Sequence, residues 1–388
     1  MFVRRSAVAL VAATMLTAQL ARSLSAQDAV HRTAQQDFRV VTVTEGLTGP
    51  WGMSFLPDGD LLVTEKGGTL RLVRGGKLQT APIVGVPAVR ASGQGGLLDV
   101  IPHPQFASNK FIYLSFSKPN ADGTQGTTAI VRAKFENDRL TDVKEIFEAK
   151  MWSAGRGHYG SRMAFDKDGF LFITLGDRQV PPQGDLEKHP SQDLTTHHGK
   201  VVRLKDDGSV PADNPFVNTP GALPEIWSYG HRSVQGIAVH PTTNALWTNE
   251  HGPQGGDELN LDQAGKNYGW PVIGFGVNYG SGAAIHSGTT RRGMEQPVNV
   301  WVPSIGISTL VIYTGDKYPG WKGNFFVGGM VGQRVVRLTM DGDKVTNVEN
   351  FLQGMGRVRA LRQSPDGYLY VMLEEAGKIV RLEPVKRS

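Results

Sequence analysis

Polar side chains recur at one position of a repeated pattern, immediately before an apolar segment typical of a strand. The set combines one imidazole, three guanidiniums and two amides: His158, Arg232, Arg357, Arg359, Gln94 and Gln235. Arginine binds planar carboxylates through paired hydrogen bonds. Equivalent ends of repeated segments meet on one side of a repeat fold, so we expect these side chains to form one site. Taken together, they favour a carboxylate-rich ligand over a set of separate surface salt bridges.

His158 lies between glycines in Gly157-His158-Tyr159-Gly160, just before a strand-like segment, so it does not belong to an apolar core face. A lone histidine in this position could be structural or catalytic, and the residues alone leave both readings open. His197 and His198 are adjacent at the start of a strand. Their side chains should point to opposite sides, which disfavours a zinc pair.

A glycine-rich polar loop between 251 and 268 has the oxygen donors that a hard cation takes. Gly252 and Pro253 free backbone carbonyls, and Asp257 or Glu258 could add a carboxylate, which are calcium-type ligands. The loop does not have the spacing of an EF-hand. The alternative is that its acids only cap a turn.

The elements that must position these residues are short hairpins. Six segments read as strand, turn, strand, several with Pro-Asp-Gly turns that favour tight reversal: 50–65, 96–116, 161–177, 235–250, 308–327 and 359–373. Four segments ending in Arg-Leu are predicted to be outer strands: 69–72, 201–204, 335–338 and 379–382. Repeats of this kind indicate blades around an axis.

The predicted fold is therefore all-β, a six-bladed β-propeller over residues 38–388, with a two-sheet sandwich as the competing fold. The composition agrees, since 48 glycines and 22 prolines suit many short strands and turns. The strand Phe38–Thr44 has no local partner, so we expect it to pair in the last blade and close the ring. The long segments 179–198 and 277–302 are predicted to be loops that wall the site.

Residues 1–26 have the pattern of a secretory signal peptide, followed by a flexible lead over 27–37. Arg4-Arg5 precede an apolar run from Ala7 to Leu16, and small residues surround Ala26. The run is short for a membrane anchor, so no stable membrane insertion is expected. With no cysteine in the chain, a periplasmic location is predicted.

Charge excludes one class of partner. The formal net charge is +5, and three of the arginines lie in residues 1–26 with no acid beside them, so the remainder is nearly neutral. No basic stripe interleaved with aromatic residues is present. We therefore expect no nucleic-acid partner.

The motifs themselves resemble a known family. In order along the chain they read GQGGLL, GHYGSRM, LGDR, HHGKVVRL, YGHRSVQG, NEHGPQGGDELN, NYGWP and GRVRA. This set is similar to the quinoprotein glucose/sorbosone dehydrogenases, and within them to periplasmic aldose sugar dehydrogenases that use pyrroloquinoline quinone (PQQ). The resemblance extends from about residue 38 to 383 and implies a six-bladed propeller.

The resemblance also implies roles. His158 would be the general base for the anomeric hydroxyl of an aldose, and the hydride would pass to C5 of PQQ. Arg232 and a calcium ion would polarise the quinone, with the calcium held by carbonyls of Gly252 and Pro253. Glu258 and the backbone near Tyr268 would hold a second calcium. The remaining cofactor contacts would come from Gln94, Gln235, Arg357 and Arg359.

Three positions depart from the family pattern. A lysine common near the cofactor is replaced by glycine around Gly328, with Arg334 or Arg292 as candidates to compensate. Ser233 stands where asparagine is usual, and an Ala-Pro-Ser segment reads Gly306-Ile307-Ser308.

The leading function is thus a PQQ- and calcium-dependent aldose dehydrogenase that passes electrons to an unknown external acceptor. The alternative is a propeller that binds a carbohydrate or protein without redox chemistry. A metal-dependent lactonase ranks last, because the predicted rim is basic rather than acidic.

Overall fold

The computed structural model describes residues 29–386, which form six antiparallel sheets arranged as a β-propeller. Within this range the strands are β1 (Val30–His31), β2 (Asp37–Thr44), β3 (Pro50–Phe55), β4 (Leu61–Glu65), β5 (Thr69–Arg74), β6 (Lys77–Leu78), β7 (Leu97–Pro102), β8 (Phe111–Pro119), β9 (Gly126–Glu136), β10 (Arg139–Glu148), β11 (Gly160–Phe165), β12 (Leu171–Leu175), β13 (Lys200–Leu204), β14 (Ile226–Tyr229), β15 (Val234–Val239), β16 (Leu246–Glu250), β17 (Asp257–Asp262), β18 (Asn299–Trp301), β19 (Ile307–Ile312), β20 (Phe325–Gly329), β21 (Arg334–Asp341), β22 (Lys344–Phe351), β23 (Val358–Gln363), β24 (Leu369–Leu373) and β25 (Lys378–Val385). Across residues 29–386, helical structure is limited to short turns: Phe106–Asn109, Leu186–Lys188, Pro190–Gln192 and Pro319–Trp321. The prediction of an all-β, six-bladed propeller is confirmed.

Each of the first five blades is a four-stranded meander: β3–β6, β7–β10, β11–β14, β15–β18 and β19–β22. The innermost strand of each blade contacts the innermost strand of the next, in a circle that returns from β23 to β3. All six predicted hairpins form the inner two strands of a blade. The Arg-Leu segments predicted as outer strands lie instead in the third strands, β5, β13, β21 and β25, and each has a further strand beyond it.

The last blade closes the ring as predicted. Strand β2 pairs with β25, with Phe38 opposite Pro384 and Val40 opposite Leu382. Part of the segment predicted as a flexible lead forms β1, which pairs with β2. The predicted signal peptide lies outside the described residues.

Local sequence explains the hairpins. In the first blade, the amide of Gly59 donates to the carbonyl of Leu56 at 3.0 Å, and Gly59 adopts a φ of +93°, which glycine tolerates without strain. The second strand, β4, is buried along its whole length because neighbouring blades pack on both of its faces. Such strands lose the simple apolar–polar alternation.

Arg162 closes the centre of the propeller. It is 1% exposed, and its guanidinium lies 4.0 Å from the Trp51 ring and 3.0 Å from Asp99 Oδ1. It also donates to backbone carbonyls of Trp51, Gln235, Ser308 and Arg359. One side chain from the third blade therefore contacts the other five. Burial lowers the pKa of Arg162 to about 10, against the opposing effect of Asp99, so the group stays charged near neutral pH.

Replacing this side chain should destabilise the whole ring. We expect Arg162→Met to reduce the free energy of unfolding by about 3–5 kcal/mol, because it leaves the buried carboxylate of Asp99 without its main partner. Urea denaturation followed by fluorescence measures the loss. The double variant Arg162→Met/Asp99→Asn should recover part of it, and a single variant as stable as the wild type would contradict the central role.

Candidate active site

The rim of the channel is shaped by a break in every inner hairpin. In all six blades the pairing between the first two strands slips near the start of the first strand, as at Gly160/Met163 and Val234/Gly236. A bulge of this kind redirects the side chains beside it. The residues predicted to form the site precede or occupy these breaks.

Four of the predicted cofactor residues line one cavity of about 480 Å³, which we call the cationic cavity: Gln94, Gln235, Arg357 and Arg359. Lys66, Trp51 and Glu374 line it as well. Glu374 accepts two hydrogen bonds of 3.0 Å from Arg359 Nη2 and lies 3.4 Å from Arg357 Nε. Burial alone would raise the pKa of Glu374, but Arg359, followed by Lys66 and Arg357, lowers it below its ordinary value. Glu374 is therefore an ionised counter-charge that holds both arginines at the cavity wall.

His158 and Arg232 line an adjoining cavity of about 390 Å³, the His158 cavity. Gln94 lines both cavities, and its Oε1 accepts a 2.8 Å hydrogen bond from the backbone amide of His158. The predicted long loops reach this second cavity through Gln179 and Tyr279. The six predicted side chains are therefore brought together in two spaces that meet at Gln94.

The imidazole of His158 is oriented by Asp177. Nδ1 lies 2.6 Å from Asp177 Oδ1, while Oδ2 of the same carboxylate accepts a 2.9 Å hydrogen bond from Trp270 Nε1. The backbone of His158 has a φ of +48°, rare for a residue with a side chain. Arg178 supports this conformation by donating to the carbonyls of Gly155 and Gly157.

Burial favours the neutral form of the His158 imidazole, which is the form that can accept a proton. Burial lowers its pKa below the usual 6.5, against the opposing effect of Asp177. Burial would raise the pKa of Asp177, but His158 and Arg232 lower it, so the carboxylate is charged. A neutral imidazole that donates from Nδ1 to Asp177 keeps its lone pair on Nε2. No described residue hydrogen-bonds Nε2, so His158 can act as a general base in its cavity.

Arg232 is held close to the calcium-type loop. Its Nη1 donates to the carbonyls of Gly252 at 2.8 Å and His251 at 3.2 Å, and its guanidinium lies 5.2 Å from the Trp270 ring centre. Its backbone amide donates to Glu250 at 2.6 Å. The buried Nε of Arg232 has no hydrogen-bond partner in the described structure. This Nε can therefore donate a hydrogen bond to a ligand that binds beside it.

The four predicted metal ligands, Gly252, Pro253, Glu258 and Tyr268, line one small cavity of about 20 Å³, the Glu258 cavity. This volume suits a single water-sized particle. Gly252 must be glycine, because a Cβ there would collide with the carbonyl of Gly256. In the described part of the chain, no three His, Asp or Glu side chains cluster closely enough to hold a metal by themselves. A cation here would need the loop carbonyls.

Asp257 and Glu258 have different roles. Both oxygens of Asp257 are used by backbone amides, of Gly252 at 3.1 Å and of Ile305 at 3.0 Å, so Asp257 fastens the loop. Among the described residues, the Glu258 carboxylate accepts a hydrogen bond only from Asn260 Nδ2, at 3.2 Å. Burial and the neighbouring Glu250 raise the pKa of Glu258 well above its usual value. Of the two acids, Glu258 is the one whose carboxylate oxygens are free to bind a cation. It is also the one that is buried beside another carboxylate, that of Glu250.

Comparison with known proteins now decides the family. The sequence profile of the glucose/sorbosone dehydrogenases matches residues 47–381. The chain belongs to the glucose/sorbosone dehydrogenase family. It is therefore an enzyme of the oxidoreductase class.

Relatives and solved structures support this assignment over almost the whole chain. The sequence is 43% identical over 352 residues to aldose sugar dehydrogenase YliI of Escherichia coli, covering 89% of this chain and 92% of that one. It is 26% identical over 423 residues to quinoprotein glucose dehydrogenase B of Acinetobacter calcoaceticus, covering 89% and 87%. The PQQ-bound aldose sugar dehydrogenase of Streptomyces coelicolor superposes with a TM-score of 0.73 at 29% identity, covering 90% and 98%.

The departures from the family pattern fall at identifiable places. Gly328 lies in β20, and Arg334 folds back to donate to the carbonyl of Gly332 at 3.1 Å. Neither Arg334 nor Arg292 lines the cationic cavity. Ser233 accepts a 3.2 Å hydrogen bond from Gln235, so it positions a predicted cofactor residue.

Sequence reasoning missed the acids of the rim. In three blades an acid at or just beyond the end of the second strand binds a group near the start of the first: Asp177 binds His158, Glu250 binds the Arg232 amide, and Glu374 binds Arg359. Glu65 occupies the same place in the first blade, where it accepts from the Thr48 amide at 2.7 Å. The sequence did contain a signal for these residues, because an acid recurs at or just beyond the end of the second strand in four of the hairpins.

Proposed function

We propose that the protein oxidises the anomeric carbon of aldose sugars to the lactone, with PQQ as the electron acceptor. The observation that carries this proposal is the His158–Asp177 pair in a cavity that meets the cationic cavity at Gln94. A base fixed beside a site for an anionic cofactor is the arrangement that alcohol oxidation requires.

The cationic cavity fits PQQ, a planar quinone with three carboxylates. Arg357 and Arg359 offer guanidinium donors, and the buried Nε of Arg359 lacks a partner among the described residues. Gln94 and Gln235 add amide groups along the same wall. When bound, PQQ supplies a two-electron acceptor that the side chains of this protein do not contain.

Residues of the protein would accept the proton of the sugar and orient the sugar for the reaction. Nε2 of His158 takes the proton of the anomeric hydroxyl while the C1 hydrogen leaves with its electron pair to the acceptor, and a C1–O double bond forms. Asp177 holds the imidazole in the tautomer that accepts this proton and stabilises the imidazolium that results. Arg232, whose buried Nε has no hydrogen-bond partner among the described residues, would donate to the quinone oxygen where negative charge develops.

Calcium is proposed at the Glu258 cavity and beside Gly252 and Pro253. The carbonyl of Gly252 accepts one hydrogen bond from Arg232 and keeps a second lone pair. Glu258 and Glu250 place two carboxylates near each other in a buried space, and a divalent cation would relieve their repulsion. A calcium ion near the cofactor would supply positive charge as a Lewis acid.

The Glu258 site gives a stability prediction. Calcium at about a hundredfold its dissociation constant for the Glu258 cavity should stabilise the wild type by about 2.7 kcal/mol more than it stabilises Glu258→Gln. Without calcium, the variant should be at least as stable as the wild type above pH 5, because the raised pKa makes ionisation of Glu258 costly there. Thermal unfolding with and without calcium measures both effects.

The exposed Glu136→Gln provides the matched control and should respond to calcium like the wild type. Equal calcium stabilisation of the Glu258 variant would contradict the site.

Export to the periplasm is proposed from the pattern of residues 1–26. Within residues 29–386, no helix has the length and apolar composition needed to cross a membrane. Electrons would leave through an external acceptor whose identity is open.

The test is reconstitution. Apoprotein mixed with PQQ and calcium should reduce an artificial dye with at least one member of an aldose panel. The absence of both PQQ binding and turnover with every aldose would overturn the proposal and favour the non-redox propeller, which has weakened or lost PQQ binding.

A further inference from the structure

One cation of the cationic cavity has no part in the proposed mechanism. Lys66 lines this cavity together with Arg357 and Arg359, yet it comes from the first blade whereas both arginines come from the sixth. Its side chain is 31% exposed. No described residue hydrogen-bonds its Nζ, and its one ionic neighbour is Glu374 Oε1 at 3.9 Å.

We propose that Lys66 is a third cationic contact for the carboxylates of the ligand in the cationic cavity. This inference rests on the proposed function and deepens it, because it names a residue that would set cofactor affinity. An ammonium within the cavity that is not hydrogen-bonded by protein can turn toward a ligand, and the one ionic contact it would loosen is the 3.9 Å pair with Glu374.

The backbone of Lys66 is fixed, so the ammonium emerges from a defined place. Its amide donates to the carbonyl of Gly49 at 3.0 Å, and its carbonyl accepts from Leu97 at 3.2 Å. The first hydrogen bond ties Lys66 to its own blade and the second to the next blade. Flexibility is therefore confined to the side chain.

The charges of the cavity leave Lys66 available. Glu374 is already engaged by Arg359, with two hydrogen bonds of 3.0 Å, and by Arg357 at 3.4 Å. Glu375 is 67% exposed and lies 3.6 Å from Arg357. Three cations thus share one buried and one exposed carboxylate. A ligand carboxylate placed between Lys66 and Arg357 would complete the charge balance.

The part of the cavity wall that the fifth blade forms supports this assignment. On the fifth blade, the cavity is lined by Met330, which carries no charge, and Arg334 is turned to the carbonyl of Gly332. The cationic character of the cavity therefore comes from the first and sixth blades. Lys66 is the member of the set whose charged group no described residue hydrogen-bonds, whereas Glu374 holds both Arg357 and Arg359.

The experiment measures PQQ affinity of the apoprotein by quenching of tryptophan fluorescence, since Trp51 lines the same cavity. We expect Lys66→Met to raise the dissociation constant at least about tenfold, the size expected for one lost charge-assisted hydrogen bond. The dependence of affinity on salt should also become shallower. Lys66→Arg should retain most of the affinity.

Lys77→Met is the matched control, because Lys77 is an exposed lysine of the same blade outside the cavity, and its affinity should equal that of the wild type. If the wild type binds PQQ and Lys66→Met binds it within a factor of about two, the inference is wrong and the proposed function stands. If the wild type itself does not bind PQQ, the proposed function fails and the inference with it. Lys66→Gln repeats the test should the methionine variant unfold.

Discussion

His158→Ala is expected to lower the turnover of aldoses by a factor on the order of 10³ while PQQ still binds. His158 is the one residue of the His158 cavity with a free acceptor nitrogen. Asp177 cannot replace it in the variant, because Oδ1 still accepts from the Gln179 amide at 2.9 Å and Oδ2 from Trp270 Nε1 at 2.9 Å. The cationic cavity that would hold the cofactor does not include the imidazole. Steady-state dye reduction and a fluorescence titration of PQQ separate the two effects.

The pH profile adds a second readout. The pKa of His158 is lowered by burial, so its neutral form persists below pH 6.5. Wild-type kcat should therefore fall only at a pH lower than 6.5, as the imidazole becomes protonated, and this acidic limb should be missing from the residual activity of the variant. His240→Ala, at the turn between β15 and β16 at the other end of the blade, should behave like the wild type. Activity within about tenfold of wild type would remove His158 from the role of base.

Asp177→Asn is expected to reduce kcat by a factor of about 10²–10⁴ with little change in PQQ affinity. An amide can donate to Nδ1, which shifts the proton of the imidazole to Nε2 and leaves no lone pair facing the sugar. The loss of the carboxylate also removes the group that raises the pKa of His158. The remaining acidic limb should therefore move to lower pH, an effect that a purely structural role would not cause.

Glu65→Gln is the matched control for this variant. Glu65 has the equivalent place in the first blade, but it holds the amide of Thr48 rather than a catalytic group. It should change stability without changing the pH profile. An Asp177→Asn variant that loses kcat but keeps the wild-type acidic limb would contradict the proposed orientation of His158.

The fold could be predicted from the sequence because each blade repeats the same local rules. The Pro-Asp-Gly turn ending at Gly59 and the buried second strand β4 recur in recognisable form. Closure by β2 followed from a strand, Phe38–Thr44, that had no local partner. In the first blade, the strand beyond the Arg-Leu segment was not predictable, since β6 has two residues and leaves almost no periodic pattern.

The candidate site could be predicted in part, for a physical reason. Residues at the starts of inner strands, such as Arg232 and Gln235, repeat at a position that the fold brings to one rim. Asp177 and Glu374 were not predicted as site residues, because the function of each depends on a partner across the hairpin. Only the register of the two strands defines that pairing. The central role of Arg162 could not be predicted either, because its contacts come from all the other blades and exist only in the closed ring.

The most direct test of the central claim follows the sugar itself. Protein loaded with PQQ and calcium is mixed with an aldose carrying deuterium at C1, and the change in cofactor absorbance is recorded in a single turnover. The account predicts a slower change than with the unlabelled sugar, no slowing with deuterium at another carbon, and a product oxidised at C1. Equal rates for C1-labelled and unlabelled sugar, together with a product oxidised at a different carbon, would contradict it.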